Sequence, residues 1–256
     1  MLEPLNHPVG TLDLATVSPV RVGTDPFDPI ALPGTEIHVA IFEAPYAEVI
    51  SQLPPSLHPS TPAYATLTFF RVPESPIGAF EFAAMAIACR STIRPRMMVL
   101  SSFASTDAAV ELLGRRFGFA ARKAEIRTRL RYDAGHSEIV LDGRKIAEVV
   151  SADPERLLGG SRALRYPQTL NHAHFAGRDG LLQFDVSYVY DESYRGILSL
   201  PVFDADALTG GKVHPTDMMA GTYARLESAT LLQPRLLIDP RKVGEVFKAD
   251  DLAEAA

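Results

Sequence analysis

Short runs of alternating apolar and polar residues, joined by turn-length spacers, limit most strongly what this chain can fold into. The clearest example is AEIRTRLRYDAGHSEIVLDGRKIAEVVS at residues 124–151, where an Asp142-Gly143 pair separates two alternating runs. Such a pair between alternating runs favours a type I′ turn, so the sequence predicts a β-hairpin here. Residues 132–136 predict a second, longer hairpin loop one strand earlier.

Other apolar segments of strand length lie at residues 36–44, 63–72, 79–90, 96–103, 181–192, 195–204 and 222–234. A short helix is predicted after Pro45, and a longer one between a Ser105 or Thr106 cap and Gly118. Roughly ten strands at hairpin spacing predict a mainly β, α+β domain with a largely antiparallel sheet. A sheet of this size typically closes or splits into packed layers.

The two terminal segments are expected to lie outside the folded domain. Residues 1–34 are rich in proline, which removes backbone donors, so we expect an extended N-terminal arm that packs on the body or on a neighbouring subunit. Residues 35–240 are expected to form the single folded domain. Residues 241–256 are expected to form a polar C-terminal tail of helical character.

Composition excludes several classes of function. A net charge of −6 argues against a nucleic-acid partner, because proteins that neutralise phosphates carry a basic face. No uncharged apolar stretch is long enough to span a bilayer, and the first ten residues lack the pattern of a secretion signal. The single cysteine, Cys89, suits a reducing compartment. We therefore expect a cytoplasmic protein with neither a nucleic-acid nor a membrane partner.

Local motifs give no reason to expect a cofactor or a metal. His172 and His174 in NHAHF fall on one face of a strand, but no cysteine or carboxylate follows at a metal-ligand spacing. Thr209-Gly210-Gly211 reads as a flexible turn, because no Walker pattern or helix signal follows it. A loop position or a substrate-facing position for the two histidines is the simpler interpretation.

One long region resembles a known family. SPIGAFEFAAMAI, then RMMVLSSFASTDAAVELLGRRFGFAARKAEI, then the Asp-Gly hairpin resemble in order and spacing the motifs of the acetoacetate decarboxylase family. EVISQLPPSLHP upstream and LESATLLQP downstream are similar to further segments of that family. The resemblance covers residues 35–150 in order and the rest more loosely.

The resemblance implies a fold and a chemistry. The fold is a cone-shaped, largely antiparallel closed β-barrel with a few short helices, assembled into homo-oligomers. In that family a lysine forms a Schiff base with a β-keto acid, and a second lysine beside it lowers the pKa of the first. Two glutamates and an arginine complete the family's site.

Most of the family's site residues have no identical residue at the matching position of this sequence. In one alignment the Schiff-base lysine falls on Arg122 and its neighbour on Lys123; in the other they fall on Ala121 and Arg122. The motif glutamate falls on Phe82, and Glu81, one residue earlier, is expected on the opposite strand face. Among the polar residues of these motifs, Arg115 alone keeps its family identity.

Three hypotheses follow. The first is a lyase without the usual lysine, acting as a hydratase or dehydratase, retro-aldolase or cyclase on a small oxo acid or polyketide-like substrate. The second is a Schiff-base decarboxylase that uses Lys123, and the third is a barrel that binds a small molecule without transforming it. The candidate catalytic residues are Arg122, Lys123 and Glu81. The candidate substrate-binding residues are Arg115, Phe82, Met98 and Phe119.

Overall fold

The computed structural model describes residues 8–131, 133–158 and 166–248. These ranges contain seventeen β-strands, three α-helices and one 3-10 helix. The 3-10 helix is Leu14–Thr16, and the α-helices are α1 (Tyr46–Ser51), α2 (Asp107–Phe117) and α3 (Ala205–Thr209). The strands are β1 (Val20–Arg21), β2 (Ile30–Pro33), β3 (Glu36–Glu43), β4 (His58–Pro59), β5 (Tyr64–Val72), β6 (Phe80–Ser91), β7 (Arg94–Ala104), β8 (Ala121–Lys123), β9 (Glu125–Leu130), β10 (Ala134–Leu141), β11 (Arg144–Arg156), β12 (Gln168–Phe175), β13 (Arg178–Phe184), β14 (Val186–Phe203), β15 (Met218–Leu231), β16 (Leu236–Ile238) and β17 (Val246–Lys248).

The strongest local predictions are confirmed. Helix α2 begins after Thr106, whose side chain accepts from the Ala109 N–H, and ends at Gly118 with a φ of 75°. Asp142 and Gly143 have φ values of 50° and 77°, as a type I′ turn requires, and join β10 to β11. The short helix α1 begins directly after Pro45.

The sheet is mainly antiparallel. Of the sixteen strand pairings among the described residues, only β1 with β12, β12 with β7 and β7 with β8 are parallel. The main path of paired strands runs β9–β10–β11–β14–β15–β3–β5–β6–β7–β12–β13–β16–β17. Strands β1, β2, β4 and β8 pair at its sides. One large sheet therefore holds the fold together.

The expected closure of the sheet into a barrel is not supported. The path of paired strands has two ends, β9 and β17, and no ladder between described residues joins them. Strand β8 pairs with β7 over only three residues, and the next strand, β9, pairs with β10 instead. The reason is local: β7 ends at Ala104, which pairs with Lys123, so no residue of β7 lies opposite β9.

Both faces of the central strands are buried. Along β5, Leu67 and Phe69 belong to one hydrophobic cluster, which includes Ile126 of β9 and Ile139 of β10. Val72 belongs to a second cluster, with Phe70 packed against it, that contains the buried face of α2. Strand β6 is buried at almost every position, which is the pattern of a strand covered on both faces. The candidate site lies on the α2 side.

Some boundaries differ from the sequence prediction. The predicted strand at 181–192 is split at Asp185, and its second part continues without a break through 195–204 as β14. The described part of the predicted helical tail contains the strand β17, because its alternating residues pair with β16. Residues 249–256 lie outside the described ranges, as does Tyr132 of the predicted hairpin loop.

The described part of the N-terminal segment lies against the sheet. Strand β1 pairs with β12, and β2 pairs with β15. Leu14 of the 3-10 helix belongs to the first hydrophobic cluster. None of the helices in the described ranges has the length and apolar character needed to cross a membrane.

Candidate functional site

A cavity of about 260 Å³ lies between β5, β6 and the first half of β14. Its aromatic lining residues are Tyr64, Phe70, Phe82, Phe119, Tyr166, Phe184 and Tyr188. Its polar lining residues are Thr66, Thr68, Gln168, Thr169 and Thr222. The remaining lining residues are Met97, Pro167 and four aliphatic residues, Val39, Ile41, Ala84 and Val186. A concave, mostly apolar space with a few polar groups is the usual form of a small-molecule site.

Strand alternation places the side chains from β5 and β6. Thr66, Thr68 and Phe70 point to the cavity, whereas Leu67 and Phe69 between them point into the other cluster. On β6, Phe82 and Ala84 occupy the cavity side in the same way. Threonines inside an otherwise apolar, doubly buried strand are the signal that could have identified this face.

The end of α2 places Phe119. Gly118 adopts the left-handed conformation and the Phe119 N–H donates to the Leu113 carbonyl at 3.2 Å, which together turn the chain back over the helix. A Cβ at Gly118 would meet the Ala173 Cβ at 3.0 Å. Glycine at this position therefore serves both the turn and the close packing that aims Phe119 at the cavity.

Four phenylalanines form a connected aromatic wall. The ring centroids of Phe82 and Phe119, and of Phe119 and Phe184, are 5.0 Å apart with edge-to-face geometry. Phe70 follows at 5.8 Å from Phe82. Edge-to-face contacts at these distances fix the ring orientations and present aromatic faces and edges to a ligand.

The polar side of the cavity is uncharged. None of the described lining residues is Asp, Glu, Lys, Arg or His. Burial raises the pKa of Tyr166 and that of Tyr188 well above the usual range for a tyrosine, so both hydroxyl groups stay protonated at neutral pH. The Tyr166 hydroxyl lies 3.5 Å from the Thr222 Oγ1, and the buried Thr169 Oγ1 has no hydrogen-bond partner among the described residues. The described lining therefore offers hydroxyl hydrogen bonds and no counter-charge.

Two predicted substrate-binding residues line this cavity and a third does not. Phe82 and Phe119 are part of the aromatic wall. Met98 belongs to the opposite cluster, and its neighbour Met97 lines the cavity instead. Met98 lies away from the cavity because adjacent residues of β7 point to opposite faces of the sheet.

Arg122 and Lys123 lie outside the cavity. Arg122 is exposed, stacks over the Phe103 ring at 4.7 Å and donates to the Ala207 carbonyl at 2.5 Å. Lys123 is also exposed and forms an ion pair with Asp107 at 2.6 Å. Of this segment it is Ala121 that packs against the cluster surrounding the cavity. The two candidate cations are therefore placed on the protein surface by the strand that follows Phe119.

Glu81 and Arg115 are also away from the cavity. Glu81 points to the face of β6 opposite Phe82 and lines a separate surface cleft with Arg71. Burial raises its pKa to about 7. Arg115 is exposed on α2, where it pairs with Glu111 at 3.0 Å. Neither residue contacts the cavity in this arrangement.

Sequence reasoning missed most of the cavity lining. Gln168 and Thr169 come from the start of β12, which reaches the site through its parallel pairing with β7, and Tyr166 lies two residues before that strand. Tyr188 comes from β14, where the aromatic alternation in VSYVY marks one strand face. The pairing of β12 with β7 joins segments about seventy residues apart. No local sequence pattern predicts such a pairing.

The exposed ion pair of Lys123 gives a direct test. We expect sodium borohydride reduction in the presence of acetoacetate to leave Lys123 unmodified, because its amine lies on the surface in an ion pair with Asp107 and outside any cavity that would hold the keto acid against it. Peptide mass mapping measures the adduct, with Lys242, another exposed lysine in an ion pair, as the internal reference. An adduct on Lys123 in clear excess over Lys242 would restore the Schiff-base hypothesis.

Comparisons with known proteins agree on the fold. No protein-family model matches the sequence, and no curated protein matches it. Among solved structures, acetoacetate decarboxylase from Legionella pneumophila superposes with a TM-score of 0.72 at 15% identity, over 85% of this chain and 90% of that one. The enduracididine biosynthesis enzyme MppR in complex with pyruvate gives 0.68 at 16% identity, over 84% and 92%. An acetoacetate decarboxylase-like enzyme from Sphingomonas wittichii RW1 gives 0.59 at 14%, over 82% and 95%. The chain therefore has an acetoacetate-decarboxylase-like fold.

Proposed function

We propose that this protein binds a small, uncharged, mainly apolar carbonyl compound of polyketide type in the aromatic cavity. The observation that carries the proposal is the absence of any charged side chain from the described lining, combined with several hydroxyl groups. A carboxylate taken into such a space loses its hydration without gaining a cation, which costs several kcal/mol. A ketone or phenol loses far less and can accept or donate hydrogen bonds there.

The size of the cavity supports a small ligand. A volume of about 260 Å³ is slightly below the usual range for drug-sized ligands, so one substituted aromatic ring or a short folded chain is the appropriate scale. The phenylalanine wall offers stacking and edge contacts to such a ring. The hydroxyl groups of Thr169 and Tyr166 offer hydrogen bonds to its oxygen atoms.

A second candidate is an enzyme that rearranges the bound molecule, as a lyase or cyclase of the acetoacetate-decarboxylase-like fold. The observation that favours it is the pair of buried, protonated tyrosines, of which Tyr166 lies beside Thr222. A protonated phenol can donate to a carbonyl oxygen while the enol carbon of the same substrate attacks that carbonyl. The enol proton then ends on the new alkoxide, so the product is an isomer and no co-reactant is needed.

Three of the original possibilities receive less support from this geometry. An oxo-acid substrate finds no counter-charge among the described lining residues. A decarboxylase using Lys123 lacks its amine, since that residue is exposed and paired with Asp107. A dehydratase needs a general base, and none of the described lining residues is an ionised base at neutral pH.

A matched pair of ligands tests the proposed binding. We expect 4-phenylbutan-2-one to bind at least about tenfold more tightly than 2-oxo-4-phenylbutanoate, which places a carboxylate where the ketone has a methyl group. Isothermal titration measures both affinities, and mass spectrometry of the recovered ligand separates binding from turnover. Tighter binding of the oxo acid at the cavity would contradict the proposal.

A further inference from the structure

A row of alternating charges crosses four adjacent strands on the sheet face opposite the cavity. Arg225 of β15 lies opposite Glu36 of β3, Glu36 lies opposite Arg71 of β5, and Arg71 lies opposite Glu81 of β6. Glu36 accepts from Arg71 at 3.0 Å and lies 3.6 Å from Arg225. The single carboxylate of Glu36 therefore serves two guanidinium groups.

Strand β9 brings three more arginines to the same place. Arg127 and Arg129 of β9, and Arg131 directly after it, alternate with buried residues, so their side chains leave the chain on one face. With Glu36, Arg71 and Glu81 they line a cleft of about 490 Å³, here called the arginine cleft. The end of β9 is held there because Arg225 donates to the Leu130 carbonyl at 3.2 Å.

The charges of the arginine cleft do not balance. Arg127 is neutralised by Glu125 and Glu138. Within the described ranges, neither Arg129 nor Arg131 forms an ion pair with an acidic residue. The residue directly across from Arg129 is His136, and that histidine is already bonded to Glu148 at 2.9 Å. Two guanidinium groups are therefore left to face the cleft without a counter-charge.

Glu81 does not supply the missing counter-charge. Thr128 of β9 offers hydrogen bonds to its carboxyl group, and the charges that act on it are those of Arg71 and Glu36. Thr128 alternates with the arginines along β9, so Glu81 lies against the opposite face of that strand. Burial is the largest influence on Glu81 and raises its pKa to about 7.

We propose that the arginine cleft binds a tetrahedral dianion, a sulfate or phosphate group, with Arg129 and Arg131 as its cationic ligands. Guanidinium groups suit this role because their paired N–H groups match the oxygen spacing of such an anion. The site is separate from the aromatic cavity and does not depend on the function proposed for it.

Sulfate is the appropriate probe because it remains a dianion from pH 6 to pH 8.5. We expect isothermal titration at low ionic strength to show binding that weakens at least about tenfold in an Arg129→Ala, Arg131→Ala double variant. An Arg195→Ala variant removes an exposed arginine of β14 outside the cleft and is expected to bind as the wild type does. Equal affinities in all three proteins would overturn the proposal.

A measurement on the unmodified protein guards against variants that fail to fold. Backbone amide NMR shifts of β9 are expected to move on sulfate titration, whereas added chloride at equal ionic strength leaves them in place. Phenyl phosphate compared with inorganic phosphate at pH 8.5 then distinguishes an organic phosphate from the free ion. If neither sulfate nor phosphate moves the β9 amide shifts, the cleft is not a binding site. The arginines would then serve to keep the exposed edge of β9 from pairing with another chain.

Discussion

Acidification from pH 6.5 towards pH 3 is expected to cost the fold up to about 5 kcal/mol through the single side chain of His38. His38 is fully buried on β3. Burial, with a smaller contribution from the charge of His136, lowers its pKa to about 3. A loss of this size is comparable with the whole stability of many domains.

The contacts of His38 explain both its position and its neutral state. Its Nδ1 lies 2.9 Å from the Ser137 Oγ of β10, and its Nε2 lies 2.8 Å from the Ser151 Oγ of β11. A neutral imidazole satisfies both hydroxyl groups, one as donor and one as acceptor. The ring thereby ties β3 to the β10–β11 hairpin across the first hydrophobic cluster. Gly135 leaves room for the imidazole ring, because a Cβ at that position would lie only 3.2 Å from the His38 Nε2.

The sign of the pH effect follows from the two pKa values. Between about pH 6.5 and pH 3 the histidine is protonated in the unfolded chain but neutral in the folded one. The unfolded state therefore binds more protons, and stability falls as the pH falls, by at most about 1.4 kcal/mol per unit. Glu81 acts in the opposite direction, since its raised pKa removes stability as the pH rises from about 4.5 to 7.

Urea unfolding measured at several pH values isolates the His38 contribution. In His38→Gln an amide replaces the imidazole between the two serines and cannot titrate, so we expect the proton uptake on unfolding between pH 4 and 6 to drop by about one. His214→Gln removes an exposed histidine paired with Glu48 and serves as the control. Equal proton uptake in the wild type and His38→Gln would show that His38 is charged in the folded state.

The sequence predicted those parts of the fold that depend on neighbouring residues. The Thr106 cap and the Gly118 terminator define α2, and Asp142-Gly143 defines the β10–β11 turn. Closure of the sheet depends on whether β9 continues the β7 ladder beyond Ala124. In the structure β9 pairs with β10 instead, whereas the family resemblance implied a closed barrel.

The candidate site was predictable only in part for a related reason. Phe82 and Phe119 line the cavity, as the order of the motifs around them suggested. Arg122, Lys123 and Met98 lie away from it, because a shift of one residue turns a strand side chain to the other face. Glu81 was correctly expected on the face opposite Phe82, and this placement leads to the arginine cleft. The tyrosines and Thr169 arrive from β12 and β14 through long-range pairing, which no local pattern encodes.

Filling the aromatic cavity is expected to abolish ligand binding while leaving the protein folded. Ala84 of β6 lies between Thr68 of β5 and Ser102 of β7 in the sheet, and its methyl group lines the cavity. A phenyl ring in its place occupies much of a space of about 260 Å³. The ring enters a cavity and not a filled core, so the change in stability is expected to stay within about 1–3 kcal/mol of the wild type.

The Ala84→Phe variant is therefore expected to bind 4-phenylbutan-2-one at least about a hundredfold more weakly than the wild type, a loss of about 2.7 kcal/mol. Ala31→Phe makes the same change at an exposed position of β2 and should bind normally. Sulfate binding at the arginine cleft is expected to be equal in all three proteins, since the cleft lies on the other face of β5 and β6. If Ala84→Phe retained full affinity for the ketone, the ligand would occupy another part of the molecule, and the uncharged lining of this cavity would reflect core packing alone.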